Sequence, residues 1–240
     1  MAAFDSELLS REELAEGTMA FRFAKPAGFE FRAGQSMNVS LIDPPETDDK
    51  GNRRTFSIVS APFENDLVVA TRMRDSAFKR VLKTMPVGTR LQLRGPAGMF
   101  LLDDGGNRPA AFIAGGIGVT PFVSMLRQAA NDRLARKLYL FYSNRRPEFA
   151  AFLRELTELQ ERNPSYRFVG TMTDMERSRA PWQGERGYVD KAMLTRVLGD
   201  VLAPIYFVAG PPAMVDTMQL MLAVAGVKSE DIRSDEFFGY

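Results

Sequence analysis

Cysteine and histidine are both missing from the 240 residues, and tryptophan occurs once. Without thiols the chain can form no disulfide, no thiolate nucleophile and no Cys-ligated iron–sulfur cluster; without imidazole it can form no Ser-His-Asp triad. Zinc and haem lose their usual donors in the same way, so no metal site is expected. Carboxylates, Lys, Tyr and Ser remain. That set leaves difficult chemistry to an organic cofactor held and oriented by the protein.

Charge of either sign is also scarce in excess. Lys and Arg number 31 against 30 Asp and Glu, a net charge of +1, which provides no field to attract nucleic acid or an anionic membrane. No stretch approaches the roughly 18 apolar residues of a bilayer span, and Met1 to Ser10 holds no basic segment followed by an apolar run. No membrane span and a cytoplasmic location are expected. The length predicts two domains of roughly 100 to 140 residues each.

The first hundred residues read as short strands at Thr18–Phe23, Ser36–Ile42, Thr55–Ser60, Leu67–Arg74 and Arg90–Arg94, separated by Gly- and Pro-containing turns. A polar loop, Asp43 to Asn52, and one short helix, Ser76–Met85, complete a small β-barrel. After Asp103-Asp104-Gly105-Gly106-Asn107 apolar strands alternate with amphipathic helices, the pattern of a parallel sheet covered on both faces. The strands are Ala110–Ala114, Lys137–Ser143, Tyr166–Thr171 and Ile205–Ala209. The helices are Pro121–Ala130, Glu148–Arg162, Lys191–Leu198 and Pro212–Ala225. The predicted domains are therefore 1–104 and 108–240.

Chemistry concentrates at two turns of the second domain. Ala114-Gly115-Gly116-Ile117-Gly118-Val119-Thr120-Pro121 joins an apolar strand to a helix, and glycines there let the backbone approach a pyrophosphate that helix amides stabilise. A second turn, Ala209-Gly210-Pro211-Pro212-Ala213-Met214, follows another strand. Both fall at the carboxyl ends of parallel strands, where open α/β sheets bind ligands. After the second parallel strand come Ser143-Asn144-Arg145-Arg146, and an Arg near the adenosine ribose accommodates a 2′-phosphate, which favours NADPH over NADH.

In the first domain Arg54-Thr55-Phe56-Ser57, followed by Ser60, resembles the R-x-[YF]-S flavin signature of the ferredoxin–NADP reductase family. Phe31-Arg32-Ala33-Gly34-Gln35 resembles the family's aromatic-x-x-G-Q segment, and Gly95-Pro96-Ala97-Gly98 its G-P-x-G segment. The Gly115 to Pro121 run, the Gly210-Pro211 turn with Met214, and Asp235-Glu236-Phe237-Phe238-Gly239-Tyr240 follow in the family's order. The resemblance covers nearly the whole chain. It implies an antiparallel, Greek-key-like flavin-binding barrel followed by a doubly wound nucleotide-binding domain.

The roles it implies are specific. Arg54 would pair with the flavin phosphate, Thr55 would lie within the signature, Phe56 would stack on the flavin ring where the family more often has Tyr, and Ser57 would donate to the ring nitrogen that receives hydride. Arg72 and the amides of Ala77, Phe78 and Lys79 would meet the flavin pyrophosphate, although Asp75 or Ser76 is equally a good helix cap. Gly116, Gly118, Thr120, Pro121, Ser143, Arg145, Gly210, Pro211 and Met214 would bind NAD(P)H. One of Phe237, Phe238 and Tyr240 would cover the flavin, with Glu236 as an acidic neighbour fixing the tail or the nicotinamide. Ala209 departs from the Cys frequent in the family, which loosens ring positioning.

The implied activity is an NAD(P)H-dependent flavoprotein reductase: hydride passes to FAD, with FMN the less favoured flavin. Electrons then leave for a separate acceptor, either a small molecule or a protein such as ferredoxin, flavodoxin or an oxygenase component. The alternative is a flavin- and nucleotide-binding regulatory module without turnover.

Overall fold

The computed structural model describes residues 2–102 and 107–238. The expected boundary at Asp103 to Gly106, and Tyr240, lie outside the described residues. The chain divides into two compact units, the first running to Leu102 and including Thr120–Gln128, the second comprising the remainder.

The first unit is a six-stranded, fully antiparallel, barrel-like sheet. Its strands are β1 (Ala2–Ala15), β2 (Thr18–Ala24), β3 (Ser36–Leu41), β4 (Arg53–Ser57), β5 (Asp66–Arg72) and β6 (Arg90–Ala97), in the order β4-β3-β6-β1-β2-β5. The first half of β1 pairs with β6 and the second half with β2, with register shifts at Leu8/Ser10 and Glu13/Ala15. Irregularities of this kind bend a strand, so one long strand can serve two neighbours. Past β4 the Val59 amide reaches the Val68 carbonyl at 2.8 Å, and the Val68 amide donates to Ser60 Oγ at 3.0 Å. These bonds join the two ends of the strand order. Phe21, Phe23, Met37, Val69 and Leu93 fill the interior, sealed by Phe78, Val81 and Leu82 of helix α1 (Ala77–Thr84).

The second unit holds a parallel sheet of β7 (Ala110–Gly115), β8 (Leu138–Asn144), β9 (Tyr166–Met172), β10 (Glu185–Arg186), β11 (Ile205–Gly210) and β12 (Ile232–Glu236). Their order is β10-β9-β8-β7-β11-β12. The helices are α2 (Thr120–Asn131), which starts in the first unit's grouping, α3 (Leu153–Arg162), α4 (Lys191–Leu198) and α5 (Pro212–Val224). Ala111, Ile113, Phe141, Tyr206 and Val208 pack with Met193, Val197, Val215 and Met218 of α4 and α5. Their alternates, among them Phe112, Leu140 and Tyr142, are equally buried and turn to the opposite face. The chain moves outward from β7 through β8 to β9, then returns to place β11 on the other side of β7, so the topological switch point lies between β7 and β11. This is the doubly wound architecture expected.

Four elements differ from the sequence reading. The strands β1, β10 and β12 carry no strong apolar alternation and were not expected. The helix expected over Glu148–Arg162 is broken: Pro147–Phe149 forms a 3-10 turn, Phe152 is left-handed at φ 59°, and α3 starts at Leu153. The carbonyl of Ala151 is taken by the Tyr142 hydroxyl at 3.1 Å, and Glu148 is drawn away to residues 178–180, so this stretch cannot continue a helix. No helix among the described residues is long and apolar enough to cross a membrane.

Candidate functional site

In the first unit, the end of β5 and the first turn of α1 converge on β4. Ser76 caps α1, its side chain accepting from the Lys79 amide at 3.3 Å. This leaves the opening amides of an eight-residue helix directed at one place, together with the partial positive charge of its dipole. Arg54 stands beside it, its guanidinium 5.2 Å over the Phe78 ring, and the Phe56 ring lies 6.0 Å from that of Phe78. Phe56 is a core residue, 9% exposed, and Phe78 and Ala77 are buried. The Thr55 hydroxyl donates to Asn38 Oδ1 at 2.8 Å across the β3–β4 pair. Ser57 is buried at the end of β4, and the Arg72 guanidinium reaches back to Thr18 Oγ1 at 3.4 Å.

The Lys79 ammonium donates to the Arg72 carbonyl at 2.6 Å. Burial pushes its pKa down to about 8, and Arg74, Arg54 and Lys50 push in the same direction. A half-buried lysine surrounded by cations is stabilised by an incoming anion. A phosphate fits this corner on charge, on helix-terminal amides and on the arginine's donor geometry. The Lys79 side chain was not expected to matter; only its backbone amide was.

The other signature segments of this unit tie the chain together. Gln35 Oε1 accepts from the Arg32 amide at 2.8 Å while Gln35 Nε2 donates to the Gly98 carbonyl at 3.3 Å. Gly34, at φ 97°, has no room for a side chain: a Cβ there would stand 2.2 Å from the Phe100 carbonyl oxygen. The aromatic-x-x-G-Q and G-P-x-G segments are thus two halves of one closure.

In the second unit, both Gly-containing turns sit at the switch point. Ala114 is in register with Ala209, and the turns after β7 and β11 press together. A Cβ on Gly118 would lie 2.4 Å from the Ala209 carbonyl oxygen, and one on Gly115 would lie 2.2 Å from Met214 Sδ. Gly116 holds φ at 53° within the 3-10 turn Gly116–Val119, which runs directly into α2 at the buried pair Thr120 and Pro121. Pro211 caps α5, whose first turn carries Met214. Two glycine-bearing turns this close, at the carboxyl ends of adjacent parallel strands, form a cradle a dinucleotide backbone fits.

β12 runs along β11 with Glu236 opposite Gly210, and the Phe237 amide continues the ladder to the Gly210 carbonyl at 3.0 Å. Phe238 is exposed. Asp235, opposite Ala209, has its carboxyl pushed up by burial, a feature with no signal in the sequence.

The arginines after β8 separate cleanly. Arg146 donates to the Arg177 carbonyl at 2.6 Å and lies 4.4 Å over the Phe149 ring. Arg145 extends an exposed side chain, and Ser143 is half-buried beside it. The Arg179 amide and the Ser178 hydroxyl donate to Glu148 and hold its carboxyl down at about 2, which pins residues 178–180 against this loop.

A phosphate corner on an antiparallel barrel and a dinucleotide cradle at a parallel sheet's switch point, in one chain, define a class: oxidoreductases that handle two nucleotides. Comparison with known proteins agrees. The family model for the oxidoreductase NAD-binding domain matches residues 112–220. Ferredoxin–NADP reductase B of Sorangium cellulosum is 30% identical over 246 residues, covering 98% of this chain and 97% of that protein. The chain belongs to the ferredoxin–NADP reductase family.

The glycine betaine monooxygenase reductase subunit of Chromohalobacter salexigens is 28% identical over 223 residues, spanning 92% of this chain and 60% of that subunit. The chain also spans 61% of the propane 2-monooxygenase reductase component of Rhodococcus jostii, at 27% identity. In fold it is similar to a ferredoxin NADP+ reductase from Neisseria gonorrhoeae with bound FAD and NADP. That match has a TM-score of 0.83 at 21% identity and covers 98% of this chain and 99% of that one.

Proposed function

We propose that this protein is a cytoplasmic NADPH-oxidising flavoprotein reductase that holds FAD with residues 1–104 and NADPH with residues 108–240. When bound, the flavin supplies the exchange between a two-electron hydride from nicotinamide and single electrons for an acceptor. Arg54, Lys79 and the first amides of α1 neutralise the flavin phosphates, and Ser57 offers its hydroxyl to the reactive edge of the ring. Gly116, Gly118 and Gly210 admit the pyrophosphate of NADPH, Ser143 and Arg145 read its 2′-phosphate, and Glu236 with Phe237 fixes the nicotinamide end. The relatives named as monooxygenase reductase components support a separate protein as electron acceptor, an oxygenase component or a ferredoxin.

The observation that carries this reading is the cation cluster at the start of α1, where the guanidinium of the R-x-F-S arginine lies 5.2 Å over Phe78 and the Lys79 ammonium is held on the Arg72 carbonyl at 2.6 Å. The test is Arg54→Ala. Losing a charge-assisted pair to phosphate costs about 1.5 to 3 kcal/mol, roughly a ten- to hundredfold weaker hold on FAD. A variant that purifies with full flavin and unchanged affinity removes Arg54, and the signature with it, from the site.

A further inference from the structure

The phosphate donors of the first unit are already engaged, by a carboxylate of the same chain. Asp48 places Oδ1 2.7 Å and Oδ2 2.9 Å from Arg54 Nη2. The amide of Lys50 donates to Asp48 Oδ1 at 3.0 Å. The Arg54 guanidinium lowers the Asp48 carboxyl from its ordinary value, and the amide of Ala77, first residue of α1, contributes to the same effect. One carboxylate therefore bridges the signature arginine and the helix start, the two donors assigned above to a flavin phosphate. Arg54 Nη1 meanwhile donates to the carbonyls of Lys50, Gly51 and Arg53 at 2.8 to 2.9 Å. Glu46 fastens the same loop to α1 through Arg80 at 2.5 and 3.0 Å, and Arg80 also meets Asp75.

We propose that Asp48 is a specificity-determining residue of the flavin site: a resident phosphate mimic that Arg54 and α1 exchange for the phosphate of an incoming flavin. The proposal rests on the flavin reading given above. Exchange of one anion for another explains how Arg54 stays ordered and neutralised at every stage. It also restricts the site to phosphorylated flavins, because only an anion can replace the carboxylate on Arg54. A ligand that must displace a resident partner binds with an affinity lowered by the fraction of sites the partner occupies. With the pair about a quarter exposed, its worth is modest, a factor of about three to ten.

The experiment measures binding of FAD, FMN and riboflavin to flavin-depleted protein by fluorescence quenching, for wild type, Asp48→Asn and Asp49→Asn. Asp48→Asn is expected to bind FAD and FMN about three- to tenfold more tightly and riboflavin no differently. Asp49→Asn removes the same charge from the next residue and is expected to change nothing. FAD is expected to speed tryptic cleavage after Lys50 and Arg53 in the wild type, because exchange frees the loop. Weaker FAD binding by Asp48→Asn, equal tightening by Asp49→Asn, or protection of the loop by FAD each overturns the exchange while leaving the flavin reading standing. Failure of the wild type to bind any of the three flavins overturns both.

Discussion

Lys79 sits half-buried among Arg74, Arg54 and Lys50 with its pKa pushed down to about 8. In the unfolded chain it titrates at its ordinary, higher value, so folding favours the neutral amine between the two, and stability rises with pH across that window. Phosphate has the opposite effect: it favours the ammonium. FAD affinity is therefore expected to be full below pH 8 and to fall above it, by up to about tenfold per pH unit, as binding must take up a proton. A flat profile from pH 7 to about 9.5, or the same slope in Lys79→Met, contradicts the placement of Lys79 beside the phosphate. Arg145 makes a second residue-scale prediction. Arg145→Ala is expected to raise KM for NADPH about tenfold with little change for NADH; equal changes for both nucleotides refute its contact with the 2′-phosphate. Arg54 stands out in the sequence because its neighbours form a signature; Arg145 and Arg146 look alike there, and only the structure shows Arg146 bonded to the Arg177 carbonyl and lying over Phe149. Asp48 was not legible. It is one of several acids in the polar loop Asp43 to Asn52, and composition does not say which of them turns inward.

At the scale of elements, the strands and helices with regular patterning were readable to within three residues at each end: α4 falls on Lys191–Leu198 as expected, β7 gains only Gly115, and β4 and β6 each miss one end by three. β1 was missed because charged and small residues interrupt its three leucines, and its buried positions are few, with Ser6 and Leu8 the clearest. Partners on both sides supply its order, which no local pattern reveals. β12 was read only as a tail motif, since an edge strand half open to solvent needs no apolar run. The Gly-containing turns were readable as tight turns, but the reason for Gly118 lies in β11, some ninety residues away in the chain. Gly118→Ala forces a Cβ into the Ala209 carbonyl, where the obstructing atoms are backbone and cannot swing aside. The expected cost is about 1 to 3 kcal/mol of stability, together with loss of NADPH binding. Melting temperature and nucleotide titration measure the two, and a variant with both unchanged shows that the switch point is looser than the contact distances require.

For the whole molecule, the chain divides into two compact units, and the absence of Cys and His leaves redox chemistry to a bound organic cofactor. The division of labour between barrel and parallel sheet was legible from the change in texture near residue 105. The grouping of Thr120–Gln128 with the first unit was not, because a helix's sequence records which face is apolar and not which body covers it. The central claim is hydride transfer from a nicotinamide to a flavin on one chain, and a module that binds both without turnover would share every cradle described. Anaerobic addition of NADPH to the FAD-loaded protein separates the two most directly. The account predicts that the yellow flavin absorbance bleaches with one equivalent of nucleotide and returns when an acceptor is admitted; a spectrum unchanged while NADPH is demonstrably bound would contradict it.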